Sequence, residues 1–304
     1  MTDPARKKAV TLACLAVFAL SWTASVVYLS ATGSSLVKAL LSMAVVGLAL
    51  PGLATLLTRK AAPPPIPVER PARALVFVLG YLIVYAFYFL GWALGAVRAA
   101  SAPGVEQDVA LVILKLGVGV SAPAVLLYLL QAQLAPLFDP GLRRKGVWPT
   151  LAIVGGVLAA LTIFASGSHE VTRAQVLPPS VLLWAAPVAF AWVALDALSE
   201  AFLYQAVVQS RLAAVLENQV AAVAISALLF SLAHVPGIFL RGSSTTLGYS
   251  TDLSQVVAYC IAVMGPIGLL YGTLWARTRS LVLVVVAHAC LSFAPRIPAV
   301  VAAL

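Results

Sequence analysis

Apolar residues run along this chain in blocks of about 20, and short polar clusters separate one block from the next. A helix needs about 20 apolar residues to cross the hydrocarbon of a bilayer. Nine such blocks fall near 9–30, 36–58, 74–97, 109–131, 149–166, 181–212, 219–240, 254–276 and 280–302. The fifth is short. The sixth is long and holds Pro187, whose missing N–H predicts either a bend there or a helix that runs past the bilayer. The pattern predicts an all-α, polytopic transmembrane bundle of about nine spans.

The polar intervals divide the chain. The stretch 59–73 opens Arg-Lys-Ala-Ala-Pro-Pro-Pro-Ile-Pro, which reads as an extended, semi-rigid spacer. It separates two N-terminal helices (1–58) from three more (74–180) and from the last four segments (181–304). The first block follows Lys7-Lys8, as a secretory signal would. Its core is too long and lacks a small-residue cleavage pattern, so a retained membrane anchor is expected.

Composition agrees: 62% of the 304 residues are apolar, 10% are charged, and mean hydropathy is +1.03. The net charge of +9 does not indicate nucleic acid, because the basic residues punctuate helix ends instead of lining a groove. With the N-terminus in the cytoplasm, the inside segments hold Arg6, Lys7, Lys8, Arg59, Lys60, Arg70, Arg73, Arg143, Arg144, Lys145, Arg211, Arg277 and Arg279. Outside are Arg98, Arg173, Arg241 and Arg296. An odd number of spans then puts the C-terminus outside. Cys14, Cys260 and Cys290 are odd in number and lack CxxC spacing, so neither a disulfide framework nor a zinc ribbon is expected. Cys290 reads as a small buried hydrophobe before it reads as a nucleophile.

Five ionisable side chains lie inside apolar blocks: Lys115, Asp196, Glu200, His234 and His288. Such residues are costly in hydrocarbon and normally face a bundle interior. Asp196, Glu200 and Tyr204 recur every four residues and share one helix face. Phe230 and His234 are one turn apart, as are His288 and Ser292. A carboxylate and an imidazole on facing helices can take a proton from a shared water, while a second imidazole with a nearby hydroxyl can stabilise an oxyanion. Each residue also has a plainer role. His234 can be an interhelical hydrogen-bonding group, Glu200 can pair with Lys115, and Phe230 can be core.

In order and spacing these residues resemble the CPBP intramembrane proteases, which include CAAX-processing endopeptidases and bacteriocin-processing or immunity proteins. That family carries Glu-Glu-x-x-x-Arg, then Phe-x-x-x-His, then His-x-x-x-Asn/Asp. Here the corresponding segments are Ser199-Glu200-x-x-x-Tyr204, Phe230-x-x-x-His234 and His288-x-x-x-Ser292, flanked by Gln209-Ser-Arg-Leu212 and by Gly268 through Leu281. The likeness covers about 181–295 and marks 181–304 as the catalytic core. It implies an endopeptidase of a bacterial plasma membrane that acts on a membrane-associated or lipid-anchored peptide. Glu200, His234, His288 and Ser292 would be catalytic, with Asp196, Ser199, Tyr204 and Phe230 supporting. The family's first glutamate, usually given the water-activating role, is Ser199 here; its arginine is Tyr204 and its Asn/Asp is Ser292.

Two other readings stand beside this one. A catalytically inactive relative would bind a membrane peptide without cutting it. A transporter would relay ions through Asp196, Glu200 and Lys115, but matching broken helices in two halves are not evident. A zinc ion, if bound, would take Glu200, His234 and His288, a donor set that leaves a position open.

Overall fold

The computed structural model describes residues 4–101, 104–165, 177–244 and 246–303. Among the described residues the main helices are α1 (Pro4–Ala31), α2 (Val37–Leu57), α3 (Pro71–Ala100), α4 (Val105–Leu129), α5 (Val147–Ala165), α6 (Pro179–Leu216), α7 (Gln219–Arg241), α8 (Leu253–Thr278), α9 (Leu281–Ser292) and α10 (Ile297–Ala303). Among the described residues there is no strand. Seven helices among the described residues are long and apolar enough to cross a membrane. The segment from α9 into α10 makes an eighth if its two parts, bent by 58°, are one span. Of the nine expected blocks, the fifth is the shorter apolar helix, Val147–Ile163.

Side chains such as Leu20, Val76 and Leu183 project outward at 69–81% exposure. A water-soluble fold would not leave a surface of this kind, but hydrocarbon solvates it. The chain is an integral membrane protein.

Pro187 lies within α6 without ending it. The departure from α geometry comes later, where residues 201–209 form wide π turns just after Glu200. At 38 residues, α6 spans roughly 57 Å at α-helical rise and overshoots the hydrocarbon. Three helices start on local caps: Asn218 Oδ1 accepts from Ala221 N at 3.0 Å, Asp252 Oδ1 from Ser254 N at 2.8 Å, and Ser280 Oγ from Leu283 N at 3.1 Å.

One continuous core joins α2 to α9, with α1 attached through Phe18 against Ala224, Ala227 and Leu228. α7 packs against α3, α8 and α1, and α6 packs against α4, α7 and α9. Small residues let α8 approach α7 closely: a Cβ placed on Gly268 of α8 would lie 2.8 Å from Ala227 Cα of α7.

The helix ends gather at two poles. At one, Arg277 donates to the Thr58 carbonyl at 2.9 Å, Arg144 donates to the Thr278 carbonyl, and Gly146 backs onto Leu57. At the other, Arg98, Asp108, Arg241 and Arg296 surround one cavity. Among the described residues seven or eight helices reach membrane length, fewer than the nine expected spans, because α5 is too short by the same measure.

Candidate active site

The carboxyl of Glu200 meets both histidines. His234 Nε2 on α7 lies 3.7 Å from Glu200 Oε2, and His288 Nε2 on α9 lies 4.0 Å from the same oxygen. All three side chains are 17–22% exposed. Glu200 and His234 line a cavity of about 250 Å³ that runs to the pole with Arg98, Arg241 and Arg296.

The proton on His234 can be placed. Its Nδ1 is 2.7 Å from the Phe230 carbonyl, which can only accept, so Nδ1 carries hydrogen. In the neutral ring Nε2 then presents its lone pair toward Glu200. The spacing of Phe230 and His234 by one turn makes this bond possible, because the i−4 carbonyl and the ring occupy the same helix face.

Aromatic rings hold the cluster from behind. Tyr85 meets Tyr204 edge-on at 6.4 Å, Tyr204 meets Phe230 at 5.2 Å, Phe230 meets Tyr271 at 6.1 Å, and Tyr271 stacks on His288 at 5.0 Å. The Tyr85, Tyr204 and Tyr271 hydroxyls and His288 Nδ1 are buried and have no hydrogen-bond partner. An orphaned buried polar atom costs about 1–3 kcal/mol, and such groups concentrate where function holds them in place.

The other expected residues divide around this centre. Asp196 lines the same cavity, but its Oδ1 is 2.6 Å from Lys115 Nζ on α4. Lys115 therefore pairs with Asp196 and not with Glu200. Ser199 is fully buried and turned away, with its hydroxyl donating to the Asp196 carbonyl at 2.8 Å. Its side chain lies against α4, where a Cβ on Gly119 would fall 2.5 Å from Ser199 Cβ. Position 200, not 199, is thus the one that faces the histidines. Tyr204 occupies the site's floor as a fully buried ring. Ser292 ends α9 at the 58° break, and no hydrogen bond joins it to Glu200, His234 or His288.

Among the described residues no group of three His, Cys, Asp or Glu side chains is arranged to hold a metal ion. Zinc holds its ligand atoms about 2.0–2.2 Å from a common centre, and here His234 Nε2 and His288 Nε2 lie 3.7 and 4.0 Å from Glu200 Oε2.

Sequence reasoning missed Tyr85, Gly119 and the capping of His288 by Tyr271. Tyr85 is one aromatic within Tyr-Ala-Phe-Tyr-Phe, and nothing in that run marks which ring turns inward.

Residues 182–294 match the family model for Rce1-like type II CAAX prenyl endopeptidases. That stretch begins in α6, ends just past α9, and contains Glu200, His234 and His288. The domain is consistent with a CPBP-family protease. No curated protein and no solved structure matches the chain.

Proposed function

We propose that the protein is an intramembrane endopeptidase that cleaves a membrane-associated or lipid-anchored peptide. The observation that carries this reading is the convergence of His234 Nε2 and His288 Nε2 on Glu200 Oε2 at the inner end of a polar cavity, within the Rce1-like domain. A gap of 3.7 Å is too long for a direct hydrogen bond, yet a water about 2.8 Å from both atoms can sit beside it. Glu200 and the free lone pair of His234 then share the proton taken from that water as it attacks the peptide carbonyl. His288, with its ring orientation fixed by Tyr271, donates to the oxyanion that forms. Proton return to the leaving amine completes hydrolysis.

The excess of basic residues at the Arg59, Arg144 and Arg277 pole supports a cytoplasmic position for it, with the cavity mouth at Arg98, Arg241 and Arg296 outside. The test is cleavage of lipid-anchored and unanchored peptides of the same sequence by purified protein in detergent, followed by mass spectrometry, with and without a chelator. Cleavage of the anchored peptide, insensitive to chelation, is expected. Absence of any product across a peptide library would favour the inactive-relative reading, in which Ser199, Tyr204 and Ser292 replace the family's catalytic set.

A further inference from the structure

A second cavity, of about 530 Å³, lies at the pole opposite the mouth of the catalytic cavity. The proline-rich linker forms one wall through Pro64, Pro65 and Ile66, and Arg144 and Arg279 form another. Arg279 occupies the left-handed position that ends α8 and is 5% exposed. Its guanidinium lies over the Trp275 indole, with Cζ 5.6 Å from the ring centre. That contact covers one face of the group. Nε and Nη1 are buried without a hydrogen-bond partner, and no carboxylate among the described residues pairs with them.

Asp139, the nearby acid on the cavity wall, is already engaged by Arg144. Arg144 also donates to the Thr278 carbonyl. The frame is rigid: Gly141 N donates to Asp139 Oδ1 at 2.8 Å, Ser280 donates to the Pro140 carbonyl, and a Cβ on Gly141 would lie 2.9 Å from Ser280 Cα. Burial, with Arg144 beside it, pushes the Arg279 guanidinium down to about 10, so it remains charged at neutral pH. Arg279 and Arg144 thus bring two guanidinium groups to one cavity wall, and Arg279 has no carboxylate partner among the described residues.

We propose that this cavity binds a phosphate-type oxyanion, taken by the Arg279 guanidinium with Arg144 beside it and covered by the linker at Pro64, Pro65 and Ile66. A planar guanidinium matches phosphate oxygens two at a time. Arg59, Lys60, Lys145 and Arg277 on the same pole add long-range attraction. The cavity exceeds the size of inorganic phosphate, so the oxyanion can be carried by an organic group: a lipid headgroup from the adjoining leaflet or a free phosphate ester. Arg279 stands two residues before α9, so the ligand would order the turn from which the His288 helix departs. The proposal does not depend on the catalytic reading.

The experiment uses the full chain in nanodiscs of phosphatidylcholine alone, titrated with inorganic phosphate, and in nanodiscs that also contain phosphatidylglycerol. Two readouts are followed: the thermal unfolding midpoint, and the rate of tryptic cleavage after Arg59 and Lys60 in the linker. A saturable rise in midpoint with slower linker cleavage is expected. Response to phosphate in phosphatidylcholine marks a soluble ligand, and response to phosphatidylglycerol alone marks a headgroup. Arg279→Gln should weaken the effect at least about tenfold, as loss of a charged hydrogen-bonding partner does, while Arg143→Gln should not. If Arg279→Gln does not fold, Arg279→Lys, which keeps the charge and loses the planar edge, should still weaken binding. No response of the wild type to either ligand, or equal binding by the Arg279 variants, overturns the proposal.

Discussion

Lys115 Nζ meets Asp196 Oδ1 at 2.6 Å, one turn of α6 before Glu200. The two carboxylates share a helix face and a cavity, but their partners differ: a lysine holds Asp196, and two imidazoles hold Glu200. That division has Asp196 tie α4 onto α6 and leaves Glu200 with the two imidazoles, the arrangement the proposed chemistry uses.

Asp196→Asn should therefore lower the unfolding midpoint while turnover stays within about tenfold of wild type. Both side chains of the pair are 20–32% exposed, so their coupling in a double-mutant cycle with Lys115→Met should be about 1 kcal/mol and not the value of a fully buried pair. A loss of 10²–10⁴ in turnover, the usual cost of removing a general base, would make Asp196 the base instead.

The contact between Gly119 and Ser199 makes a second prediction. Ser199→Glu cannot present a carboxylate to the histidines, because position 199 points into α4 at van der Waals distance. It should cost stability by about 1–3 kcal/mol, as overpacking does, and Gly119→Ala should do the same. The double change Ser199→Glu with Tyr204→Arg should add no activity, measured by peptide turnover beside thermal unfolding. A gain of activity from that pair would support the inactive-relative reading.

Tyr271 tests the support of His288. Its hydroxyl has no partner, so Tyr271→Phe should leave both folding and turnover near wild type. Tyr271→Ala removes a stacked ring from a fully packed position and should cost about 3–5 kcal/mol of stability. If Tyr271→Phe alone lowers turnover tenfold or more, the hydroxyl takes part in the reaction.

Much of this architecture was legible in the blocks of apolar residues, because hydrocarbon forces every span to satisfy its own backbone and so to be helical. Glu200, His234 and His288 were legible for the same reason: ionisable groups at membrane depth must converge. The rest depended on how α6 is rotated. Spacing put Asp196, Glu200 and Tyr204 on one face, but it could not say that Lys115 would reach Asp196, or that a glycine on α4 would draw Ser199 away from the site. Ser292 sits one turn from His288 by count, yet α9 breaks just beyond it, and sequence spacing does not register such a break.

Topology is checked by reporter fusions in the linker 59–73, the turn 138–148 and the stretch 241–253. The first two are expected in the cytoplasm and the third outside. Placement of 138–148 on the far side would mean that the passes before it are miscounted.

The central claim is that Glu200 with His234 activates water, and the most direct measurement is the turnover of Glu200→Gln. Glutamine keeps the size and hydrogen bonding of the side chain and removes its ionisable group. With folding verified by an unchanged unfolding midpoint, turnover of a lipid-anchored peptide should fall by 10²–10⁴, and His234→Ala should be at least as harmful. Wild-type turnover in both Glu200→Gln and His234→Ala would contradict the account.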